Sequence, residues 1–198
     1  MGHSLTYEQI LHNMEAVGKP VPKKRPIISI PNAKEELLGA LQTIGSVLGE
    51  TIHWLPEYDK VADWLSNTQG KGLYLYGQCG RGKSLLIRYA IPMIFSMHLA
   101  RCFTIIDCGT LFPCDNLERL RYIGLDDLGC DRPRMIYGTP RDPVAEIIMR
   151  VHDYPECILI ASSNFGEEEL TRRYGTRILD RLRHVCVRIP FNGPSLRG

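Results

Sequence analysis

The residues with the clearest chemical potential lie in one short run. Positions 77–84 read Gly-Gln-Cys-Gly-Arg-Gly-Lys-Ser, which is the pattern G-x-x-x-x-G-K-S. Glycines let backbone N–H groups converge on an anion, and the start of a following helix adds its positive dipole end. Lys83 can reach the β- and γ-phosphates of a nucleotide, and the Ser84 hydroxyl can ligate Mg²⁺. The run predicts a site for a nucleoside triphosphate. The predicted contacts are Gly77, Gln78, Cys79, Gly80, Arg81, Gly82, Lys83, Ser84 and Leu85.

Two adjacent carboxylates predict the part of the site that handles the metal ion and water. The apolar run 122–125 leads directly into Asp126 and Asp127, an arrangement known as Walker B. In sites of this kind one acid stands near Mg²⁺ and another orients the attacking water. We therefore assign Asp126 to the metal and Asp127 to water activation.

The elements that must position these groups alternate between strands and helices. Apolar strands are predicted at 73–76, 102–107, 122–125, 157–161 and 185–189. This alternation is typical of a three-layer α/β fold with a mostly parallel five-stranded sheet. Pro92 is expected to kink or end the helix behind Ser84 near Ile91. Between the second and third strands only a short helix, at 115–120, is predicted.

Two further groups are candidates for the edge of the site. Asn164 follows the strand 157–161, and a polar residue at the carboxyl end of such a strand faces the γ-phosphate. Asn164 is thus a candidate sensor, with a simple Asx cap of the next turn as the alternative. Residues 52–54, just upstream of the first strand, line either the pocket of the base or the ordinary core.

The first 50 residues predict a helical extension in front of a nucleotide-binding domain at 51–198. Amphipathic helices are predicted at 6–17 and from Asn32 to Gly49, with a basic, proline-rich linker at 19–26 between them. Two small helices cannot form an independent core. Either both pack on the main domain, or the first docks into a partner.

Two arginine-rich stretches are open to more than one interpretation. Five arginines lie between positions 172 and 183, more than the solvation of one helical face requires. They can contact phosphates of nucleic acid or of a neighbouring chain's nucleotide. The loop 130–141, with Arg132, Arg134 and Arg141, is either an ordinary exposed loop or a DNA contact.

Composition limits the class of protein. The chain has 198 residues, 44% of them hydrophobic and 23% charged, and a net charge of +2. These values are ordinary for a globular domain and give no global argument for nucleic-acid binding. No apolar run approaches the length of a membrane span. Seven cysteines without a C-x-x-C pair favour a reducing cytoplasm over a disulfide framework or a zinc site.

Four blocks of the sequence, taken in order, resemble the signatures of a known family. Residues 76–84, 125–129, 162–165 and 177–182 are similar to blocks of the DnaC-type helicase loaders, which are AAA+ ATPases, and of the IstB-type transposition helpers. The resemblance covers roughly residues 52–197. It implies a P-loop NTPase fold of AAA+ type and the cofactors ATP and Mg²⁺. The chain departs from the AAA+ pattern because no helical lid domain follows the last strand.

The resemblance also implies how such a protein works. AAA+ ATPases of this kind assemble side by side, and an arginine from the adjacent subunit completes each active site. By position Arg181 is the first candidate for that arginine and Arg177 the second. The implied partners are a hexameric replicative helicase and single-stranded DNA in the cytoplasm, with no role for a membrane.

Three other functions remain open from the sequence. The nearest is an IstB-like helper ATPase that binds DNA and a transposase. A small-molecule kinase can use the same phosphate loop, although Asn164, Arg177 and Arg181 argue against it. The third is a nucleotide-binding interaction module with negligible turnover.

Overall fold

A five-stranded sheet runs through the centre of the molecule, and its strands are all parallel. The computed structural model describes residues 5–110, 119–136 and 138–196. The strands are β1 (Gly72–Gly77), β2 (Thr104–Asp107), β3 (Tyr122–Asp126), β4 (Arg134–Ile136), β5 (Thr139–Arg141), β6 (Ile158–Ser163) and β7 (Cys186–Phe191). The order across the main sheet is β2-β3-β6-β1-β7. The predicted α/β fold of a P-loop NTPase is confirmed, and the main sheet is parallel throughout.

Helices cover both faces of this sheet. The α-helices of the described residues are α1 (Tyr7–Ala16), which is not part of either face, and α2 (Ala33–Leu48), α3 (Pro56–Ser66), α4 (Lys83–Leu85), α5 (Ile91–Leu99), α6 (Pro143–Asp153), α7 (Glu167–Tyr174) and α8 (Thr176–Val185). One core cluster joins α2, α3 and α5 to the sheet, and another joins α6, α7 and α8 to its opposite face. Strand β6 is buried along its whole length and β1 along its first four residues, because central strands of a parallel sheet are covered on both sides.

The helix behind β1 changes its hydrogen-bonding pattern after its first turn. Leu86–Ala90 form a π-helical turn, in which the Ile91 N–H donates to the Leu86 carbonyl five residues back. Pro92 has no N–H to continue the ordinary α-helical ladder. The helix does not end near Ile91: the irregular turn stands there, and α5 continues beyond it to Leu99.

The two N-terminal helices differ in packing. Helix α2 buries Leu37 and Leu41 in the core that it shares with α3. Helix α1 has the predicted capping box of Thr6 and Gln9, yet none of its residues is buried. Between them, the Arg25 guanidinium anchors the linker by donating to backbone carbonyls next to α6. The linker is therefore attached to the domain, whereas α1 keeps its apolar face exposed.

The stretch 130–141, predicted to be a loop, contains the antiparallel hairpin of β4 and β5. Arg134 in this hairpin donates to the Thr110 carbonyl at 2.9 Å. The short helix predicted at 115–120 lies mostly outside the described residues. In the described part of the chain no helix has both the length and the apolar character that crossing a membrane requires.

Candidate nucleotide-binding site

The glycine-rich loop after β1 has a backbone that glycine adopts readily and other residues do not. Gly77, Gly80 and Gly82 have φ angles of 126°, 79° and 79°, in the left-handed region. A Cβ at Gly77 would lie 2.5 Å from the Phe191 carbonyl oxygen, and one at Gly82 would lie 2.3 Å from the Tyr58 hydroxyl. Neighbouring groups thus fill the outside of the loop, and side chains at these positions would displace it.

Lys83 begins the helix that follows the loop and is almost fully buried. Its ammonium group donates to the carbonyls of Gly77 and Gln78 at 2.8 and 2.6 Å. The amino group therefore lies within the curve of the loop. Gln78 and Cys79 are exposed at the loop tip, and Ser84 and Leu85 are half-buried in the first turn of α4. Residues 77–85 therefore form one compact turn and the first turn of the following helix, and their contact with a nucleotide stays a prediction.

A buried ion pair fastens the outer turn of this loop. Arg81 donates through Nε and Nη2 to Glu57 Oε1 at 3.1 and 2.7 Å, and through Nη1 to the Pro194 carbonyl at 2.9 Å. The Leu196 N–H donates to the Gly80 carbonyl at 2.9 Å. We call these five residues the anchor region. Because the Arg81 side chain faces the scaffold, its predicted contact with a nucleotide applies to its backbone.

The segment upstream of α3 lies beside the phosphate loop. The Trp54 ring meets the Tyr58 ring edge-on, with centroids 5.7 Å apart, and the Tyr58 hydroxyl abuts Gly82. Burial raises the pKa of Tyr58 to about 12, so this hydroxyl stays protonated. Ile52 and Trp54 also pack against the core, whereas His53 is exposed. Both readings of residues 52–54 thus have support: Trp54 is core-packed and adjacent to the loop.

The carboxyl ends of β2 and β3 bring charged groups together. Asp126 is fully buried; its Oδ1 accepts a hydrogen bond from the Ser162 hydroxyl and its Oδ2 accepts one from Arg88 Nε. Arg88 Nη2 also donates to Asp107 Oδ2 at 2.6 Å. Asp107 and Asp126 are register partners in the sheet. We call Asp107, Asp126, Asp127 and Arg88 the carboxylate cluster.

These contacts shift the pKa values of two groups in the cluster. The hydrogen bond from Arg88 lowers the pKa of Asp107 below its usual range. The hydrogen bonds to Asp107 and Asp126 raise the pKa of Arg88. Asp107 and Arg88 therefore remain ionised at neutral pH as an ion pair.

Asp127 has an unusual backbone conformation and a defined partner. Its φ of 58° lies in the left-handed region, which costs energy for a residue other than glycine. The Asp127 N–H donates to Ser162 Oγ at 3.1 Å, and the Asn164 amide donates to Asp127 Oδ1 at 2.9 Å. Burial, followed by the charge of Asp126, raises the pKa of Asp127. Asn164 is thus brought to the predicted water-activating carboxylate.

The Asp126 carboxylate and the Ser84 hydroxyl are oxygen ligands of the kind that fit an Mg²⁺ ion bound together with a nucleotide. The described residues contain no group of three His, Cys, Asp or Glu side chains suited to holding a metal. Mg²⁺ at nucleotide sites takes one or two protein ligands and completes its shell with phosphates and water. Asp126 offers a buried carboxylate. Ser84 offers a hydroxyl four residues before Arg88, whose guanidinium contacts Asp126.

The arginines between 172 and 183 are mostly engaged within the chain. Arg173 pairs with Asp131 and Asp142, and Arg183 pairs with Glu167. Arg181 contacts the Met149 sulfur and lies 3.6 Å from the Asp153 carboxylate. Arg172 and Arg177 are exposed, and neither has an ion-pair partner among residues 5–110, 119–136 and 138–196. Helix α8, which carries Arg177 and Arg181, packs on the sheet face opposite α5.

Four residues in or beside the site escaped the sequence analysis: Glu57, Arg88, Asp107 and Ser162. Asp107 and Ser162 stand at the carboxyl ends of strands, so the argument that selected Asn164 would also have selected them. Glu57 and Arg88 gave no such signal, because their partners are distant in the sequence.

The chain shares its fold with solved structures, but its sequence is far from them. No family model matches the chain, and no curated protein matches it. A crystal structure of DnaI is 17% identical, covers 83% of this chain and 96% of that chain, and has a TM-score of 0.57. A crystal structure of the DnaC helicase loader is 16% identical, covers 80% of this chain and 99% of that chain, and has a TM-score of 0.52. At these identities the likeness establishes the fold.

Proposed function

We propose that this chain, which has the fold of DnaI and of the DnaC helicase loader, is an Mg²⁺-dependent ATPase that loads or remodels a replicative helicase on single-stranded DNA. The observation that carries the proposal is the placement of Lys83, Asp126, Asp127 and Asn164. They follow the carboxyl ends of β1, β3 and β6, which are neighbours in the sheet. A phosphate-binding lysine, a metal-binding carboxylate and a second carboxylate held by an amide are the groups that ATP hydrolysis requires.

Each residue takes a role from its position. The Lys83 ammonium group leaves the carbonyls of the loop and binds the β- and γ-phosphates. The loop N–H groups hold phosphate oxygens. Ser84 and Asp126 hold Mg²⁺, which when bound neutralises charge on the phosphates. Asp127 accepts the proton of the attacking water, and its raised pKa makes it a stronger base than an exposed carboxylate. The amide of Asn164 keeps the Asp127 carboxylate in one orientation.

The site is completed in trans by an arginine, and the contacts favour Arg177 over Arg181. Arg177 is exposed in the first turn of α8 and reaches a neighbouring chain without giving up an ion pair. Arg181 would first have to leave Met149 and Asp153. Arg177→Ala should therefore bind ATP normally and lose hydrolysis, whereas Arg181→Ala should lose less.

Mixing two inactive variants tests the sharing of sites directly. Asp127→Asn removes the base and Arg177→Ala removes the arginine, so a mixed interface contains one intact site. The mixture should recover part of the ATPase activity that each variant lacks alone. A mixture as inactive as its components would contradict shared sites.

Helix α1 and the basic linker supply the docking segment for the helicase. Leu5, Tyr7, Ile10, Leu11 and Val17 are exposed along and beside this helix. Amphipathic helices of this kind lay their apolar face into a partner's groove. Ile10→Asp should abolish capture of the helicase and leave nucleotide binding unchanged, because α1 buries no residue in the domain. The matched control is Glu8→Asp on the same helix.

Contact with single-stranded DNA rests on the hairpin between β3 and α6. Arg132 at its base is exposed, whereas Arg134 and Arg141 have partners within the chain. Arg132→Ala should weaken single-stranded DNA binding and reduce the salt dependence of that binding. Arg121→Ala, at the opposite end of β3, serves as the control.

The central experiment measures ATP hydrolysis and partner capture with the same preparation. The wild-type chain should hydrolyse ATP with Mg²⁺ and retain a replicative helicase on an affinity resin. Asp127→Asn should bind ATP without hydrolysing it, whereas the exposed control Asp63→Asn should behave as wild type. Capture of a transposase in place of the helicase would refute helicase loading. Absence of hydrolysis in the wild type would refute the ATPase.

A further inference from the structure

Arg88 occupies an irregular part of the helix behind the phosphate loop. It stands in the π-helical turn Leu86–Ala90, and such turns often accompany functional sites. Its guanidinium is one-third exposed and bridges two carboxylates, with Nε on Asp126 Oδ2 and Nη2 on Asp107 Oδ2. Neither Arg88 nor Asp107 has a part in the hydrolysis proposed above.

Asp126 is the carboxylate for which two cations compete. Its side chain is 1% exposed, and a buried carboxylate needs a counter-charge. Arg88 supplies that charge on Oδ2, while the Ser162 hydroxyl occupies Oδ1. An Mg²⁺ ion on Asp126 supplies the same charge, and a guanidinium on the same carboxylate repels it.

Asp107 is a second carboxylate partner for the Arg88 guanidinium within the cluster. Its side chain is 31% exposed, and its Oδ1 is held by the Gly109 N–H at 2.9 Å. Because Nη2 of Arg88 already binds Asp107, Nε can leave Asp126 while the guanidinium keeps a carboxylate partner. The exchange therefore leaves neither Asp126 nor Arg88 unpaired.

We propose that Arg88 is a built-in competitor of Mg²⁺: it is the counter-ion of Asp126 in the metal-free protein and withdraws to Asp107 when Mg²⁺ and nucleotide bind. The inference rests on the proposed Mg²⁺–nucleotide site and adds a regulator to it. By lowering the affinity of Asp126 for Mg²⁺, Arg88 makes the metal and the product nucleotide dissociate more readily. Asp107 sets how easily Arg88 withdraws.

The test is an Mg²⁺ titration of the full chain at a saturating concentration of ADP. The two readouts are the unfolding temperature and the fluorescence of an N-methylanthraniloyl-labelled ADP. Arg88→Met removes the cation at similar volume, so the Mg²⁺ concentration of half-effect should fall about tenfold, the scale of one hydrogen bond to a charged group. Asp107→Asn removes the second position of Arg88, so the same concentration should rise.

The two variants have opposite expected signs, which separates competition from a structural role. Arg121→Met removes an exposed arginine that is paired with Glu156 and directly precedes the strand of Asp126; it is the matched control and should not shift the titration. In the Arg88→Met background the effect of Asp107→Asn should shrink, since the group that it redirects is gone. A purely structural Arg88 would lower the unfolding temperature equally at every Mg²⁺ concentration.

Specific outcomes overturn the inference. If Mg²⁺ affects the wild type and the half-effect concentration is unchanged or higher in Arg88→Met, Arg88 does not compete. If Arg88→Met does not fold, an unchanged or lower value in Asp107→Asn overturns the proposal instead. If Mg²⁺ affects neither readout in the wild type, the proposed nucleotide site itself fails, and this inference fails with it.

Discussion

Two arginines flank Lys83 in the sequence, and they are held in opposite ways. In the anchor region, Arg81 and Glu57 are 7% and 9% exposed, and the remaining guanidinium donor binds the Pro194 carbonyl. In the carboxylate cluster, Arg88 is 33% exposed and shared between two acids. Arg81 has one fixed environment, whereas Arg88 has two partners and access to water.

The difference indicates which parts of the site are scaffold and which are exchangeable. A phosphate loop must keep its shape before the nucleotide arrives. A buried ion pair fixes the loop, because breaking the pair leaves a buried charge without a partner. Under the proposed function, the Asp126 carboxylate must accept a new cation in each cycle. A shared, partly solvated arginine suits that exchange.

The largest expected effect comes from breaking the anchor region. Arg81→Met leaves the Glu57 carboxylate buried without its partner, which should cost about 3–5 kcal/mol of unfolding free energy. For a chain of this size that corresponds to a melting temperature lower by about 6 to 20 °C. The double variant Arg81→Met/Glu57→Gln should recover much of the loss. An unchanged melting temperature in Arg81→Met would show that the pair does not anchor the loop.

Lys83 lies between Arg81 of the anchor region and Arg88 of the carboxylate cluster in the sequence. Removing its side chain should weaken ATP binding without changing the free energy of unfolding. Lys83→Ala should weaken ATP binding at least about a hundredfold, or ~3 kcal/mol, because it removes hydrogen bonds to charged phosphates. Isothermal titration calorimetry measures this, with Lys60→Ala on the surface of α3 as the control. Normal ATP affinity in Lys83→Ala would place the nucleotide elsewhere.

On the carboxylate side, Asn164 should affect turnover alone. Asn164→Ala frees the Asp127 carboxylate to rotate, so kcat should fall about tenfold while ATP affinity and melting temperature remain unchanged. Steady-state kinetics and thermal unfolding measure the two quantities, with the exposed Asn13→Ala as control. A loss of stability equal to that of a helix cap would instead support the simple Asx cap.

The smallest effect is expected at an exposed ion pair between α2 and the helix that carries Glu57, α3. Lys34 Nζ lies 2.6 Å from Asp59 Oδ1, and both side chains are exposed. Lys34→Met should leave the melting temperature unchanged, since solvent screens such pairs. A fall comparable to that of Arg81→Met would remove the distinction between the buried and the exposed pair whose acids lie on α3.

The parts of the site that could be predicted are those formed by consecutive residues. The run 77–84 carries its own strand, turn and helix signals, and Asp126-Asp127 ends an apolar strand. Pro92 marked the place of the irregularity in the helix, because it lacks a backbone donor, but not its form as a π-helical turn. Such features depend on local backbone chemistry, which can be predicted from the types of neighbouring residues.

Contacts between distant residues could not be predicted in this way. Arg81 and Glu57 are separated by 24 residues, and Arg88 and Asp126 by 38. No local sequence pattern therefore predicts either pair. The arginines between 172 and 183 show the same limit: their number suggested phosphate contacts, yet Arg173 and Arg183 are used inside the chain. The partner of a long charged side chain is decided by tertiary packing.

The account requires two chains to form one working site, and dilution tests that most directly. ATP turnover per chain should be measured while the protein is diluted over about a hundredfold range at fixed ATP and Mg²⁺. The specific rate should fall as the chains separate and should recover on concentration. A specific rate that stays constant at every dilution would contradict the shared site.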